Sequence, residues 1–300
     1  MKKKTYLFAL MAMALTLGSC SDNENGIGGE TSKYITVSTS IGNMTRVATD
    51  EKGGQTFEEG DEISVYAWTG DATVAPETRE RVVNNAINKL TNGSWVSTPQ
   101  MLWKNNRDKH YFIGVYPTAA ISDLSAGEYT FDETKQVESD LLVAVNKDGL
   151  SYNVDEQQPV PLTFTHVMAK LVVNLTYKNQ WGGIPTVEKV VVGNAAKEAT
   201  INYLTKVVTP STTAKEDFSL PEITENTKYV SVIIPQEEVK QLTIVIGGKN
   251  FVYDNGTPFK LESGKITTVN LEVGRDEIKL GDVKITDWEN GSTFSGEALN

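Results

Sequence analysis

Leu162-Thr163-Phe164-Thr165-His166-Val167-Met168-Ala169-Lys170-Leu171-Val172-Val173 is the longest β-like run in the chain. Its first half alternates apolar and polar residues, the period of a strand with one face in a core; its second half is apolar on both faces, as in a strand covered on both sides. Immediately upstream, Asn153-Val154-Asp155-Glu156-Gln157-Gln158-Pro159-Val160-Pro161 interrupts the pattern with polar residues and two prolines. A domain limit is therefore read here, with residues 33–160 as one β-sandwich and 161–300 as another. Outward from this run the same pattern repeats. Tyr34–Ile41, Glu62–Thr69, Tyr111–Tyr116, Leu141–Val145, Val187–Val192, Tyr229–Ile234, Leu242–Ile246, Phe251–Tyr253 and Thr267–Val273 are short apolar-polar runs separated by Gly, Asn, Asp and Pro. One stretch, Thr78–Leu90, carries Val82, Val83, Ala86, Ile87 and Leu90 at helix spacing, but it runs into Asn92-Gly93, a hairpin signal, so its second half reads equally as a strand pairing with Trp95. Many short strands with turn residues between them predict an all-β chain of two tandem sandwiches rather than a parallel α/β sheet.

The N-terminus has a different character. Lys2-Lys3-Lys4 precedes an apolar stretch from Tyr6 to Leu17, and Leu17-Gly18-Ser19-Cys20 follows. The stretch is shorter than the roughly 20 residues of a membrane span and reads as a secretory signal over residues 1–19. Cys20, the single cysteine, closes a lipobox, which predicts that the mature chain begins there with its sulfur and amine acylated and is held in the outer membrane by those chains. Removing Lys2, Lys3 and Lys4 takes the formal net charge from −11 to −14. That acidity argues against nucleic acid as a partner and against electrostatic adsorption to anionic lipid. Residues 20–32, nearly devoid of apolar groups after Cys20, read as a flexible tether, and their acidic residues as either a surface-export cue or a solvated linker.

Little points to catalysis. His110 and His166, the two histidines, have no metal-like spacing, and with Cys20 lipidated no thiolate is left to join them. Gly28-Gly29, Gly53-Gly54, Gly182-Gly183 and Gly247-Gly248 are turn pairs without a phosphate-loop context. No catalytic residue, metal site or cofactor is assigned. Of the five tryptophans, Trp68, Trp95, Trp103 and Trp288 lie in strand-like contexts, whereas Trp181, in Asn179-Gln180-Trp181-Gly182-Gly183, is the candidate for contact with a ligand such as a glycan.

Several motifs, in this order, carry a resemblance: Phe57-Glu58-Glu59-Gly60-Asp61-Glu62-Ile63-Ser64-Val65-Tyr66-Ala67-Trp68; Asn92-Gly93-Ser94-Trp95 with Trp103; Tyr111–Pro117; Asp140-Leu141-Leu142-Val143-Ala144; and Leu162–Val173 with its Phe-Thr-His. Leu261-Glu262-Ser263-Gly264, Thr267–Leu271 and Val283-Lys284-Ile285-Thr286-Asp287-Trp288 complete the series. The chain resembles the fimbrillin-like (Mfa-like) family, lipoprotein-derived subunits of the surface fimbriae of anaerobic gut and oral bacteria. The resemblance implies two transthyretin-like β-sandwich domains and assembly with other fimbrial subunits by strand exchange. In polymerising members an arginine-specific protease cuts downstream of the lipidated cysteine and frees the first strand, and the groove left behind accepts a strand of another subunit.

Each part has a counterpart here. Tyr34–Ile41 is amphipathic, with Ile35, Val37 and Ile41 on one face, and Gly42-Asn43-Met44-Thr45-Arg46-Val47-Ala48-Thr49-Asp50 follows with a single arginine in a small-residue segment of the kind proteases cut. Cleavage after Arg46 leaves Val47 as the new N-terminus; the plainer reading of Arg46 is a solvated loop residue. Ile278-Lys279-Leu280-Gly281-Asp282-Val283-Lys284-Ile285-Thr286-Asp287-Trp288 is the donor-strand candidate, with Ile278 and Leu280 on one face, Val283 and Ile285 in another register after Gly281-Asp282, and Trp288 as an anchor. The plainer reading is an edge strand of a closed second sandwich. The expected function is a structural, adhesive subunit of a surface fimbria. The alternatives are an uncleaved anchor or tip subunit, and a monomeric lipid-anchored adhesin that binds a glycan.

Overall fold

The structure is a computed structural model that describes residues 33–42, 56–153 and 158–288. Its regular elements are strands, apart from two single 3-10 turns at Thr78–Glu80 and Asn179–Trp181. A seven-stranded sheet runs in the order β1 (Val37–Ile41), β8 (Val160–His166), β7 (Leu142–Leu150), β5 (His110–Tyr116), β2 (Glu62–Thr69), β3 (Val83–Thr91) and β4 (Ser94–Thr98). A three-stranded sheet follows the order β12 (Val207–Pro210), β11 (Glu198–Asn202) and β6 (Gly127–Thr130). The remaining strands form a four-stranded sheet, β13 (Lys215–Ser219), β10 (Val187–Ala196), β16 (Gln236–Ile246) and β17 (Lys249–Leu261), and a five-stranded sheet, β14 (Glu222–Thr224), β15 (Lys228–Ile233), β9 (Ala169–Tyr177), β18 (Lys265–Val273) and β19 (Ile278–Asp287). Pairing is antiparallel except between β1 and β8 and between β9 and β18.

The central strands are apolar on both faces because each face of the seven-stranded sheet meets a different core. Along β2, Ile63, Val65 and Ala67 enter an inner core with Phe112, Leu142, Ala144, Leu162 and Phe164, while Tyr66 and Trp68 point the other way. That other face joins a larger core continuous with Ile201 and Tyr203 of the three-stranded-sheet region and with Val173, Val192, Ile244 and Val269 of the two remaining sheets. Gly114 on β5 is where the inner core is tightest. A methyl group there would sit 2.6 Å from the ring of Phe164, so a residue without a side chain lets that ring lie over the strand.

Val160–His166 is hydrogen-bonded into the first sheet, between β1 and β7, and the chain changes sheets at Val167–Met168. This differs from the reading that started the second sandwich at residue 161. The prolines that suggested a linker are accommodated by the ladder itself. Residues Leu142 to Ala144 of β7 pair with His166 to Phe164, and the pairing has ended by Pro161, where a missing N–H costs nothing. The two halves of the chain are also interlocked, since β11, from the second half, pairs with β6, from the first, through Ala199 opposite Tyr129 and Ile201 opposite Gly127.

Within 78–90 the strand reading prevails. Only Thr78–Glu80 is helical, as a single 3-10 turn, and Val83–Thr91 pairs with β2 and β4. Asn92 and Gly93 form a two-residue turn at φ 51° and 73°, left-handed values that suit Asn-Gly. The carboxylate of Glu59 holds this turn, accepting from the N–H of Asn92 at 2.9 Å and of Gly93 at 2.6 Å. The Glu-Gly-Asp motif before β2 is thus a clamp on the β3–β4 hairpin.

Candidate functional site

The segment Lys33–Ile41 is the last stave of the curled seven-stranded sheet, and it straddles the sheet's two edges. Its first residues pair with the chain beyond β4: Tyr34 lies opposite Leu102, Ile35 N–H donates to Met101 O at 2.9 Å, and Trp103 N–H donates to Lys33 O at 3.2 Å. From Val37 onward it pairs instead with β8, in parallel, from Val37 opposite Val160 to Ile41 opposite Phe164. Alternation then directs the side chains. Ile35 and Val37 are 2% and 6% exposed in the inner core, with Ile41 packed against its margin, while Thr36, Ser38 and Ser40 face solvent.

Aromatic side chains close the lip beside this strand. Phe57 stands edge-on to Trp95, Tyr116 and Phe164 at 5.2–5.3 Å, joining β4, β5 and β8. The Trp95 indole donates to Thr39 Oγ1 at 3.0 Å and is a direct link between β4 and β1. Burial and the neighbouring Asp61 carboxylate push the Tyr116 phenol up to about 12, so it is a neutral donor to Asp61 Oδ1 at 3.3 Å. The far end of the stave depends on His110. That ring is fully buried, donates from Nδ1 to Asp108 O at 3.0 Å, accepts at Nε2 from the N–H of Lys104 at 3.1 Å, and meets Trp103 edge-on at 5.0 Å. Its desolvation holds the imidazole pKa below the usual histidine range. His110 therefore shapes the corner that pairs with Lys33–Ile35, a role its position between Lys109 and Tyr111 did not disclose.

At the other end of the chain, β19 is the outermost strand of the five-stranded sheet and, among the described residues, pairs with β18 alone. The register places Ile278, Leu280, Val283 and Ile285 opposite Val273, Leu271, Val269 and Thr267, all of which face the core. A bulge at Gly281-Asp282 absorbs the odd residue and brings all four apolar side chains to one face, where the sequence reading had put them in two registers. Ile278 and Leu280 pack on the core, but Val283 and Ile285 are 37% and 39% exposed.

Trp288, just beyond β19, is buried. Its indole stacks on His166 with centroids 4.0 Å apart and planes within 5°, and the ammonium of Lys170 lies 5.2 Å from its ring. His166 Nδ1 is fixed by Asp140 Oδ1 at 2.8 Å, and its Nε2 is buried without a hydrogen-bond partner. Lys170 is 4% exposed, and desolvation lowers its pKa. His166 and Asp140 are thus structural, holding the end of the C-terminal strand at the point where the chain passes between sheets. Trp181 is engaged as well: its N–H donates to Val273 O at 2.9 Å, and its ring meets Phe251 and Arg275 at 5.7 Å. Cys20, Arg46 and Val47 lie outside the described residues.

The site thus consists of a first strand in an apolar seat and, at the opposite end of the chain, an edge strand whose apolar row is incompletely covered. The chain belongs to the fimbrillin-like family, whose model matches residues 45–288, a span that begins beyond β1 and ends on Trp288. The proposed fimbrium subunit Fim1C of Bacteroides uniformis is 25% identical over 324 residues, spanning 99% of this chain and 100% of the relative. Among solved structures, a proposed cell adhesion protein from Bacteroides ovatus has a TM-score of 0.65 at 17% identity, covering 85% of this chain and 98% of the other. A second such protein, from Bacteroides uniformis, has a TM-score of 0.60 at 18% identity, covering 86% and 100%. At these identities the two structures bear on the fold, which is the same all-β sandwich type.

Proposed function

We propose that this chain is a structural subunit of a cell-surface fimbria with a role in adhesion, exported as a lipoprotein through Cys20 and joined to other subunits by strand exchange after cleavage at Arg46. Membership of the fimbrillin-like family, and a relative described as a fimbrium subunit that is matched along 99% of this chain and 100% of its own, support the subunit role. The single observation that carries the mechanism is the seating of Lys33–Ile41. This short segment closes the inner core with Ile35 and Val37, is bonded to different neighbours at its two ends, and along Val37–Thr39 has β8 as its ladder partner among the described residues.

Its loss uncovers apolar surface worth roughly 1.5–3 kcal/mol for each large side chain that had been buried. An empty seat is therefore unfavourable, and an extended segment with alternating apolar residues fills it through main-chain bonds and side-chain pockets. β19, an edge strand with four apolar side chains on one face, meets that description. Cleavage also separates the body of the subunit from the lipid on Cys20. The partners of this reading are other fimbrial subunits, the outer membrane and the arginine-specific protease.

Treatment with an arginine-specific protease is expected to yield a chain beginning at Val47 together with a ladder of oligomers, and Arg46→Ala to abolish both. Truncation before Asp282 is expected to abolish the ladder and leave cleavage intact. Cleavage at Arg46 with no oligomers would reject the polymerising subunit in favour of a capping one.

A further inference from the structure

We propose that the incoming strand of a second copy first engages the free edge of β4, in a wedge beside β1, and displaces the N-terminal strand progressively from there; this rests on the strand exchange proposed above. The wedge follows from the way Lys33–Ile41 straddles the sheet. Bonded first to residues 101–103 and then to β8, the segment diverges from β4 and leaves an opening of about 520 Å³ between Thr36–Thr39 and Gly93–Trp95, with Pro159 at its rim.

Both walls turn toward the opening backbone groups that have no ladder partner among the described residues. On β1, Thr36 O and Gly42 N–H are bonded to β8, so the parallel ladder turns the N–H and C=O of Val37 and Thr39 the other way, into the wedge. On β4, the two-residue turn makes Thr91 and Ser94 a hydrogen-bonded pair; Val96 and Thr98 then bond to β3, and Trp95 and Ser97 direct their N–H and C=O outward. An extended segment entering here gains bonds to β4 while β1 is still home. The Trp95 to Thr39 hydrogen bond at 3.0 Å spans the opening and is the first contact it must part.

The occupant is the segment Asp276–Trp288 of a second copy. The wedge is continuous with the seat, whose apolar positions Ile35 and Val37 are two residues apart, as are Ile278 and Leu280, and Val283 and Ile285. A route in which β1 leaves first exposes the inner core all at once. In the wedge route each bond lost is replaced as the exchange advances.

The test uses the full chain after cleavage by an arginine-specific protease, with a fluorescent peptide of the sequence Asp276–Trp288, and follows capture by polarisation. The capture rate is expected to rise in proportion to peptide concentration. Ser97→Pro, which removes an outward N–H and no bond of the β3–β4 ladder, is expected to slow capture at least tenfold and leave the final amount unchanged, because Ser97 is not part of the seat itself. A rate independent of peptide concentration in the unaltered chain would overturn the proposal, whether or not Ser97→Pro folds, and so would capture by Ser97→Pro at the unaltered rate. No capture at all by fully cleaved chain would overturn strand exchange itself.

Discussion

Replacing Ile35 by alanine tests whether Lys33–Ile41 opens as a unit of its own. Ile35 is 2% exposed in a core made by Val160, Leu162 and Phe164 of β8 together with Met101, so the substitution leaves a cavity in addition to losing transfer free energy. Isoleucine to alanine in a core costs about 2–5 kcal/mol, and at a short stave at the margin of the sheet, where neighbours can relax inward, about 2–3 kcal/mol is expected. Because the stave's ladder among the described residues runs along β8 and its first residues are bonded to one short corner, that cost is expected to fall on local opening rather than on global unfolding. Native-state amide exchange separates the two. The N–H groups of Val160, bonded to Thr36 O at 2.8 Å, and of Gly42, bonded to Phe164 O at 2.8 Å, are protected only while the stave is home. At 1.4 kcal/mol per decade, both are expected to exchange roughly 30- to 140-fold faster in Ile35→Ala. The amide of Val65 in the central strand β2 is expected to change much less. Unchanged exchange at Val160 and Gly42, or an equal acceleration at Val65, would show that the stave does not open separately.

The interlocked halves make a second prediction: a protease site inserted between Asn153 and Gln158 and then cut is expected to leave two fragments that co-elute in size-exclusion chromatography and part only in denaturant, because β8 and β11 of the C-terminal fragment pair with β7 and β6 of the other. Separate elution under native conditions would refute it. Trp288→Ala removes a buried ring stacked on His166 and is expected to cost about 3–5 kcal/mol, with the amides of β19 exchanging faster than those of β9. Equal acceleration in both strands would show that Trp288 does not act as the fastening of β19. Desolvation lowers the folded-state pKa of His110, so the unfolded chain takes up the proton first, and the stability present above about pH 6.5 is lost as pH falls through the folded value. His110→Gln, which keeps an acceptor for the Lys104 N–H, is expected to flatten the fall in melting temperature between about pH 7 and 5 relative to the unaltered chain. Parallel pH profiles for the two proteins would reject the assignment.

The all-β class, most strands, the Asn92-Gly93 hairpin and the burial of Ile35 and Val37 were legible in the sequence, because each depends on near neighbours: alternation sets the face, and Asn-Gly sets the turn. The likeness to fimbrillin-like proteins was legible too, since it rests on the order of local motifs along the chain. What tertiary structure alone decided is which edge meets which. Residues 162–173, a single apolar run in the sequence, divide at Val167–Met168 between two sheets, because a run that is apolar throughout fits either core and only pairing partners choose. The common face of Ile278, Leu280, Val283 and Ile285 depends on a bulge against β18, and alternation counted along β19 alone gives the opposite face for the second pair. The role of Glu59 on the hairpin, the burial of His110 behind Lys104 and the stack of Trp288 on His166 join residues 33, 6 and 122 positions apart or more. Contacts at such separations leave no periodic trace in the chain, and it is they that seat the first strand and fasten the end of the last beyond its ladder to β18.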